Sequence, residues 1–114
     1  MKMTGLAAER IQENAIADTD EIKKLRELYQ RENKMAYADG GVESLAFTLS
    51  GVCGQNIYVG KEAAVYFEIL DTRDFLKEKY AELSDFEMIK HKEDVESTLA
   101  EAEDMLKFLG KYVS

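Results

Sequence analysis

The stretch of sequence that decides the fold is residues 84–113, SDFEMIKHKEDVESTLAEAEDMLKFLGKYV. From Val95 onward its apolar residues follow a 4-3-4-3-4 spacing, which places them along one side of a helix. Ser84 and Glu87 stand at the spacing of a capping box, in which the serine oxygen accepts a backbone N–H of the first turn. The apolar stripe consists of Met88, Val95, Leu99, Ala102, Leu106, Leu109 and Val113. We therefore predict one long, amphipathic C-terminal helix that packs against another surface.

Length and composition limit the class of protein. The chain has 114 residues, a net charge of -8 and a single cysteine, so we expect one domain, residues 1–114, without an internal disulfide. An acidic surface argues against direct binding of nucleic acid or of anionic membranes, but it is compatible with a basic protein partner. No apolar run approaches the roughly 18 residues of a membrane span, and because residues 1–6 lead into a mixed, charged helix without the apolar region of a signal peptide, we expect none here. A cytoplasmic location follows as the expectation.

The N-terminal part predicts a helix over residues 4–38 that ends at the glycine pair 40–41, where glycine can supply a left-handed cap. Asp18 and Glu21 also stand at capping-box spacing, so the stretch is either one helix or two helices that meet near Asp18. A continuous helix would be about 50 Å long at 1.5 Å per residue. A compact monomer of this size is only about 34 Å across. A monomer therefore favours a break, whereas an elongated oligomer permits continuity.

The middle of the chain is typical of β-structure. Residues 43–50 alternate strictly between apolar and polar, and residues 57–59 form a short apolar run between glycine-containing turns. Residues 63–70 are rich in β-branched and aromatic residues and predict a third strand, although a helix over 61–80 is the competing interpretation. Inward-facing residues would be Leu45, Phe47 and Leu49 in the first strand and Val65, Phe67 and Ile69 in the third.

These elements predict an α+β fold. A small antiparallel three-stranded meander would pack against the N-terminal helix, or helix pair, and against two C-terminal helices. The first of these two helices would be capped by residues 71–74 and would end at Leu83, and the second would be the long amphipathic helix. The sheet needs such a cover because one of its faces is apolar.

The residues that could carry chemistry do not form a convincing catalytic or metal site. Glu87, His91 and Asp94 share one helical face, which is a geometry that metal sites use, but Lys90 and Lys92 flank them and would repel a cation. Cys53 stands between two glycines without a neighbouring base to form a thiolate. We therefore expect no metal, no cofactor, no catalytic residue and no enzymatic activity.

Acidic residues are concentrated on the C-terminal helix. General acid–base catalysis needs carboxyl groups in a cleft, and these are spread over several solvated faces. They are either a solvated helix face or an acidic strip that binds a basic partner. The predicted strip consists of Glu93, Asp94, Glu96, Glu101, Glu103 and Asp104.

The last turns of the chain are apolar around most of the helix circumference. Such a helix is buried or lies in an interface, and one small core covers only one of its sides. Together with the two long helices, this pattern predicts a homodimer. The predicted oligomer interface consists of Met105, Phe108 and Tyr112.

The function that the sequence favours is that of a non-enzymatic, acidic interaction protein. It would bind another protein, for example a basic, nucleic-acid-handling one, and act as an inhibitor or regulator of it. The alternative is a small-molecule-binding module with a pocket between the sheet and the helices. Tyrosines offer an apolar ring with a polar tip, which suits such a pocket, and its predicted lining is Tyr58, Tyr66 and Phe67.

Overall fold

The computed structural model describes residues 19–57 and 59–113, and within them the regular structure is entirely helical. Helix α1 runs over Asp20–Cys53, α2 over Glu62–Ala81 and α3 over Asp85–Leu109, and a short 3-10 turn, Gly110–Tyr112, follows. No strand occurs in these residues. The predicted α+β fold with a three-stranded meander is therefore wrong, and the architecture is that of an all-α bundle.

Helix α1 begins directly after an N-cap residue. Thr19 is the N-cap residue, and its side-chain oxygen accepts a hydrogen bond from the backbone N–H of Ile22 at 3.3 Å. The predicted helical stretch 4–18 lies outside the described residues. The predicted cap at Asp18, and with it the choice between one continuous helix and two, lies outside them as well.

Gly41 divides α1 into a first segment, residues 20–40, and a second segment, residues 42–53. Its backbone has φ 69° and ψ -151°, a region that essentially only glycine adopts. The chain reverses at this point, because Met35 before the break and Thr48 after it line the same cavity. The predicted helix end at the glycine pair is confirmed, but the next element is a helix and not a strand.

The four helical segments are arranged up, down, up and down. The first segment of α1 runs parallel to α2, as the contacts of Arg26 with Asp71 and of Tyr37 with Phe75 indicate. Helix α3 runs antiparallel to α2. The contacts that establish this direction join Arg73 to Glu103 and the Tyr80 hydroxyl group to the Met88 carbonyl oxygen.

Residues 43–50 are helical because their burial follows the helical period rather than the strand period. Leu45 and Leu49 are four residues apart, so they share a face in a helix and also in a strand. Phe47 discriminates between the two, since a strand would direct it inward with the leucines, whereas it is 82% exposed. Val42, Ala46 and Cys53 complete the buried helical stripe.

Residues 63–70 belong to α2, so the competing helical interpretation of this segment is the correct one. Val65, Ile69, Thr72 and Leu76 are buried and follow a 4-3-4 spacing that continues well beyond the predicted strand. Residues 71–74 therefore lie within the helix and do not cap it. The predicted strand 57–59 is also absent, since Ile57 is irregular and Val59 lies in a turn, while residue 58 is outside the described residues.

The prediction for the C-terminal helix is confirmed. Ser84 is its N-cap and accepts a hydrogen bond from the Glu87 backbone N–H at 3.3 Å. Of the predicted stripe, Val95, Ala102, Leu106 and Leu109 are buried. Together with apolar residues of α1 and α2 they form one continuous core.

The outline of the molecule removes one argument for a partner chain. Its principal extents are 54 × 24 × 23 Å, so the bundle is elongated and accommodates long helices along its axis. The length of the helices therefore does not require a dimer. Within the described residues, no helix combines the length and the apolar character that crossing a membrane would require.

Candidate functional site

A groove on the surface lies between the second segment of α1 and α3, and we call it the acidic groove. It encloses about 660 Å³. The two helical segments run side by side here, and small side chains on both keep the space between them open. The described lining residues are Asp39, Gly40, Glu43, Ser44, Ala46, Phe47, Ser50, His91, Asp94, Val95, Ser97 and Thr98.

The acidic groove combines negative charge with one exposed aromatic ring. Asp39, Glu43 and Asp94 contribute carboxylates, and no lysine or arginine is among its described lining residues. Phe47 lies at the same surface with most of its side chain in contact with solvent. Ser50 donates a hydrogen bond to the Glu101 carboxylate at 3.3 Å, which places a further carboxylate beside the groove.

The six residues of the predicted acidic strip are all exposed, but they do not form one strip. Asp94 lines the acidic groove, and Glu101 contacts Ser50 on α1. Glu103 instead forms an ion pair with Arg73 of α2, on the opposite flank of α3. The helical period of 100° per residue places Glu96 on the flank of Glu103, and it places Glu93 and Asp104 between the two flanks.

Two carboxylates that line the acidic groove together with Asp94 were not predicted from the sequence. The sequence predicts a helix end next to Asp39 and a strand that begins at Glu43. The signal that identifies them is the helical stripe of residues 42–53, since a helix in this position directs Glu43 and Phe47 to the surface that borders α3. The structure thus brings together acidic residues of α1 and α3 that are distant from one another in the sequence.

The histidine cluster considered for metal binding is only partly assembled. His91 Nε2 lies 3.5 Å from Glu87 Oε2, and His91 and Asp94 both line the acidic groove. Among the described residues there is no group of three or more histidine, cysteine or acidic side chains with the geometry to hold a metal ion. The contact between His91 and Glu87 is therefore an ordinary pair at one-turn spacing.

The residues predicted for a dimer interface differ in exposure. Phe108 is 59% exposed, whereas Met105 and Tyr112 are partly buried against the core. The Lys111 ammonium group lies 5.3 Å from the ring centres of both Phe108 and Tyr112, so it covers part of this surface. The homodimer stays a prediction.

The ligand pocket was predicted to lie between a sheet and the helices, but the described residues form no sheet. Tyr66 and Phe67 pack edge to face, with ring centres 5.2 Å apart. Phe67 is buried, and the Arg26 guanidinium group lies over its ring at 4.6 Å. Tyr58 is outside the described residues. Both described rings therefore belong to the contact between α1 and α2.

This contact between α1 and α2 also contains buried polar groups that the sequence analysis missed. Asp71 forms two hydrogen bonds with the Arg26 guanidinium group. Thr72 donates a hydrogen bond through its hydroxyl group to Asn33 Oδ1 at 3.1 Å, while Asn33 Nδ2 is buried without a partner among the described residues. An unsatisfied buried donor costs about 1–3 kcal/mol, so this atom marks an unusual position in the interface.

Cys53 is buried in the core and is not a reactive thiol. Burial, together with the charge of Glu101, raises the pKa of Cys53 to about 11. A nucleophilic cysteine requires a lowered pKa and partial exposure. Cys53 is therefore a packing residue of the core.

Comparison with known proteins does not link the chain to a family: no protein-family model matches it, and no significant similarity to a curated protein or to a solved structure is found.

Proposed function

We propose that this chain is a non-enzymatic interaction protein that binds a basic segment of another protein in the acidic groove and thereby blocks or regulates that protein. The observation that carries the proposal is the exposed Phe47 ring beside Asp39, Glu43 and Asp94. An aromatic anchor surrounded by carboxylates suits a segment that alternates apolar with lysine or arginine side chains.

The shape of the groove supports a helical or extended peptide segment as the occupant. Two helical segments flank the groove along its length, and an amphipathic peptide can lay its apolar side chains between them. Exposed phenylalanine side chains contribute to binding when a partner removes them from water, because burial of a full side chain gains about 1.5–3 kcal/mol. Ser44 and Ser97 add hydrogen-bonding groups on opposite walls.

Charge supports a basic partner over an acidic one. The chain carries a net charge of -8, and the described lining of the groove contains no lysine or arginine that would compensate its three carboxylates. Attraction between the groove and a basic segment would accelerate association, and salt would screen it. Binding that weakens strongly with ionic strength is therefore the expected signature.

The experiment compares two phenylalanines of similar exposure. The tagged full chain, its Phe47→Ala variant and its Phe86→Ala variant are used to capture proteins from the native host, and bound proteins are released with a salt gradient. Phe86 is 74% exposed and is not among the residues that line the acidic groove. We expect basic proteins that the wild type and Phe86→Ala retain and that Phe47→Ala loses.

A charge variant provides the second arm. Glu43→Gln with Asp94→Asn removes two carboxylates of the groove with little change in shape, and Glu96→Gln with Glu93→Gln is its matched control outside the groove. Affinity for the captured partner, measured by calorimetry at two salt concentrations, should fall only for the groove variant. Equal retention by Phe47→Ala and the wild type, or equal affinity of the two charge variants, would contradict the proposal.

A further inference from the structure

One side of α3 faces solvent and carries three large apolar side chains. Phe86, Ile89 and Phe108 are each more than half exposed. At 100° per residue they lie within about 60° of the direction opposite the buried Val95, so they project away from the core. We call this side the outer face of α3, and its main residues are Phe86, Ile89, Lys90, Ser97, Asp104 and Phe108.

The outer face has aromatic side chains at both ends and small side chains in the middle. Phe86 and Phe108 are about 33 Å apart along the helix at 1.5 Å per residue. Ser97 is midway between them, and Ala100 is the next exposed residue on this face. Small side chains at the centre allow two helices to approach closely, so the face fits a second copy of itself that runs in the opposite direction. Each Phe86 then meets Phe108 of the other copy.

The charges on the outer face select the same antiparallel orientation. A two-fold axis at Ser97 places Lys90 opposite Asp104 of the second copy, because the two residues are equally far from Ser97 along the helix. The symmetry forms this pair of opposite charges twice in each dimer. A parallel pair would instead place Lys90 against Lys90 and Asp104 against Asp104, and like charges in contact are unfavourable. The register that joins the phenylalanines is therefore also the one that joins opposite charges.

Lys90 and Asp104 have no ion-pair partner among the described residues of their own chain. Both are exposed, and about 21 Å of helix separates them, so they cannot contact each other within one chain. A second copy supplies each of them with an opposite charge. The net charge of -8 on each chain opposes this association, and a contact between two single helices is at the lower end of interface sizes. We therefore expect a dimer that dissociates at low protein concentration.

We propose that the outer face of α3 is a self-association surface, through which two copies of the chain pair antiparallel about a two-fold axis at Ser97. Of the interface residues predicted from the sequence, only Phe108 belongs to this face. Met105 and Tyr112 are partly buried against the core and lie outside it. The acidic groove lies on the flank of α3 that faces α1, so this inference does not depend on the proposed function.

Sedimentation equilibrium of the full chain over a wide range of protein concentration tests whether the dimer forms. We expect a monomer–dimer equilibrium for the wild type. Phe86→Glu should raise the dissociation constant about tenfold or more, because it removes an aromatic contact at both ends of the interface and adds negative charge there. Met35→Glu is the matched control, since Met35 is 70% exposed on α1, away from the outer face, and the change in charge is the same. It should leave the dissociation constant unchanged.

An exchange of charges tests the register. Lys90→Glu and Asp104→Lys should each weaken the dimer about tenfold, because each replaces two attractive contacts by two repulsive ones. An equimolar mixture of the two variants should recover the affinity of the wild type, since every substituted residue then meets an opposite charge. Lys92→Glu changes the net charge as Lys90→Glu does, but on the flank that faces α2, and it should have little effect. All of these positions are exposed, and circular dichroism verifies that each variant is folded.

Three outcomes would overturn the proposal. One is that the wild type has the mass of a single chain at every concentration, because the outer face would then not bind a second copy. Another is a dimer that Phe86→Glu and Met35→Glu affect equally, which would mean that a different surface forms the contact. The last is a mixture of Lys90→Glu and Asp104→Lys that associates as weakly as either variant alone, because these two residues would then not meet.

Discussion

The Arg26 guanidinium group binds the Asp71 carboxylate with two hydrogen bonds, Nη2 to Oδ1 at 2.8 Å and Nε to Oδ2 at 3.1 Å. The Asp71 side chain is only 5% exposed, and the guanidinium group also covers the ring of Phe67. The hydrogen bonds with Asp71 raise the pKa of Arg26, so the guanidinium group stays charged. This pair fixes the register between the first segment of α1 and α2.

Arg26→Met should reduce the free energy of unfolding by about 2–3 kcal/mol, because it leaves the Asp71 carboxylate buried without its two charged donors. Urea unfolding of the wild type and the variant measures the loss. Arg31→Met, at an exposed position of the same segment, should change the stability by no more than about 0.5 kcal/mol. The double variant Arg26→Met with Asp71→Leu should recover part of the loss, since it removes the buried charge as well.

Gly41→Ala should destabilise the chain by about 1–3 kcal/mol, because the backbone there has φ 69° and ψ -151° and no other residue adopts that conformation without strain. The expected loss does not come from a steric clash, since an added Cβ would meet no atom within 4 Å. Thermal unfolding followed by circular dichroism measures the effect.

Gly51→Ala is the matched control and should have the opposite sign. Gly51 lies within the second helical segment, where an added Cβ also meets no atom within 4 Å. Alanine should therefore stabilise this segment by about 0.5–1 kcal/mol through its lower conformational entropy in the unfolded chain. If Gly51→Ala loses as much stability as Gly41→Ala, the backbone conformation at Gly41 is not the cause of the loss.

Leu109→Ala should lose about 2–5 kcal/mol of unfolding free energy, because its fully buried side chain leaves a cavity at the C-terminal end of α3. Its neighbour Phe108 is largely exposed, so Phe108→Ala should change the stability of the monomer little. Chemical unfolding at low protein concentration separates the two. If Phe108→Ala lowers the stability only at high protein concentration, Phe108 lies in a dimer interface, and light scattering of the wild type should then show a dimer.

Alkaline pH should destabilise the protein through Cys53 and Tyr29. Burial raises the pKa of Cys53 from 9.0 to about 11, so the folded state keeps the neutral thiol while the unfolded state ionises. This contribution is complete below pH 9 and is lost as the pH rises through 11. Tyr29, whose pKa rises from 10.0 to about 12, acts in the same direction one pH unit higher.

The measurement is the free energy of unfolding between pH 7 and pH 12. The decline above pH 9 should be smaller in Cys53→Ala, because each pKa unit between the folded and the unfolded thiol corresponds to about 1.4 kcal/mol. At pH 8 a thiol reagent should modify Cys53 in urea and leave it unmodified in the folded protein. Rapid modification without urea would contradict the burial of this side chain.

The two incorrectly predicted strands, residues 43–50 and 63–70, have one physical origin. Side chains four residues apart, such as Leu45 and Leu49, lie on the same face of a helix and also on the same face of a strand. Only the residue midway between them distinguishes a helix from a strand, because a strand buries it with the two leucines and a helix does not. Phe47 occupies that position, and its apolar side chain therefore suggests a strand, although it is exposed in the helix. In residues 63–70 even this test fails, because Phe67 is buried in the helix as well.

The candidate sites were less predictable than the helices. The charge of Asp94 is visible in the sequence, but its neighbours Asp39 and Glu43 join it only because the chain reverses at Gly41. Asn33 and Thr72 are 39 residues apart, and ordinary polar residues within a helix carry no sign that they will meet in a buried interface. The opposing charges of Arg26 and Asp71 are likewise unremarkable until α1 and α2 pack.

What the sequence by itself determined is local: the C-terminal helix with its serine cap, the break at the glycine pair, the acidic character and the buried apolar stripe of α3. These features depend on the backbone within a few residues, where spacing, caps and glycine conformations act directly. The tertiary structure alone decided that residues 43–50 and 63–70 are helical, which carboxylates share a groove and which polar side chains are buried. Those outcomes depend on which face a segment buries against its neighbours, because packing outweighs the small differences in intrinsic propensity between helix and strand.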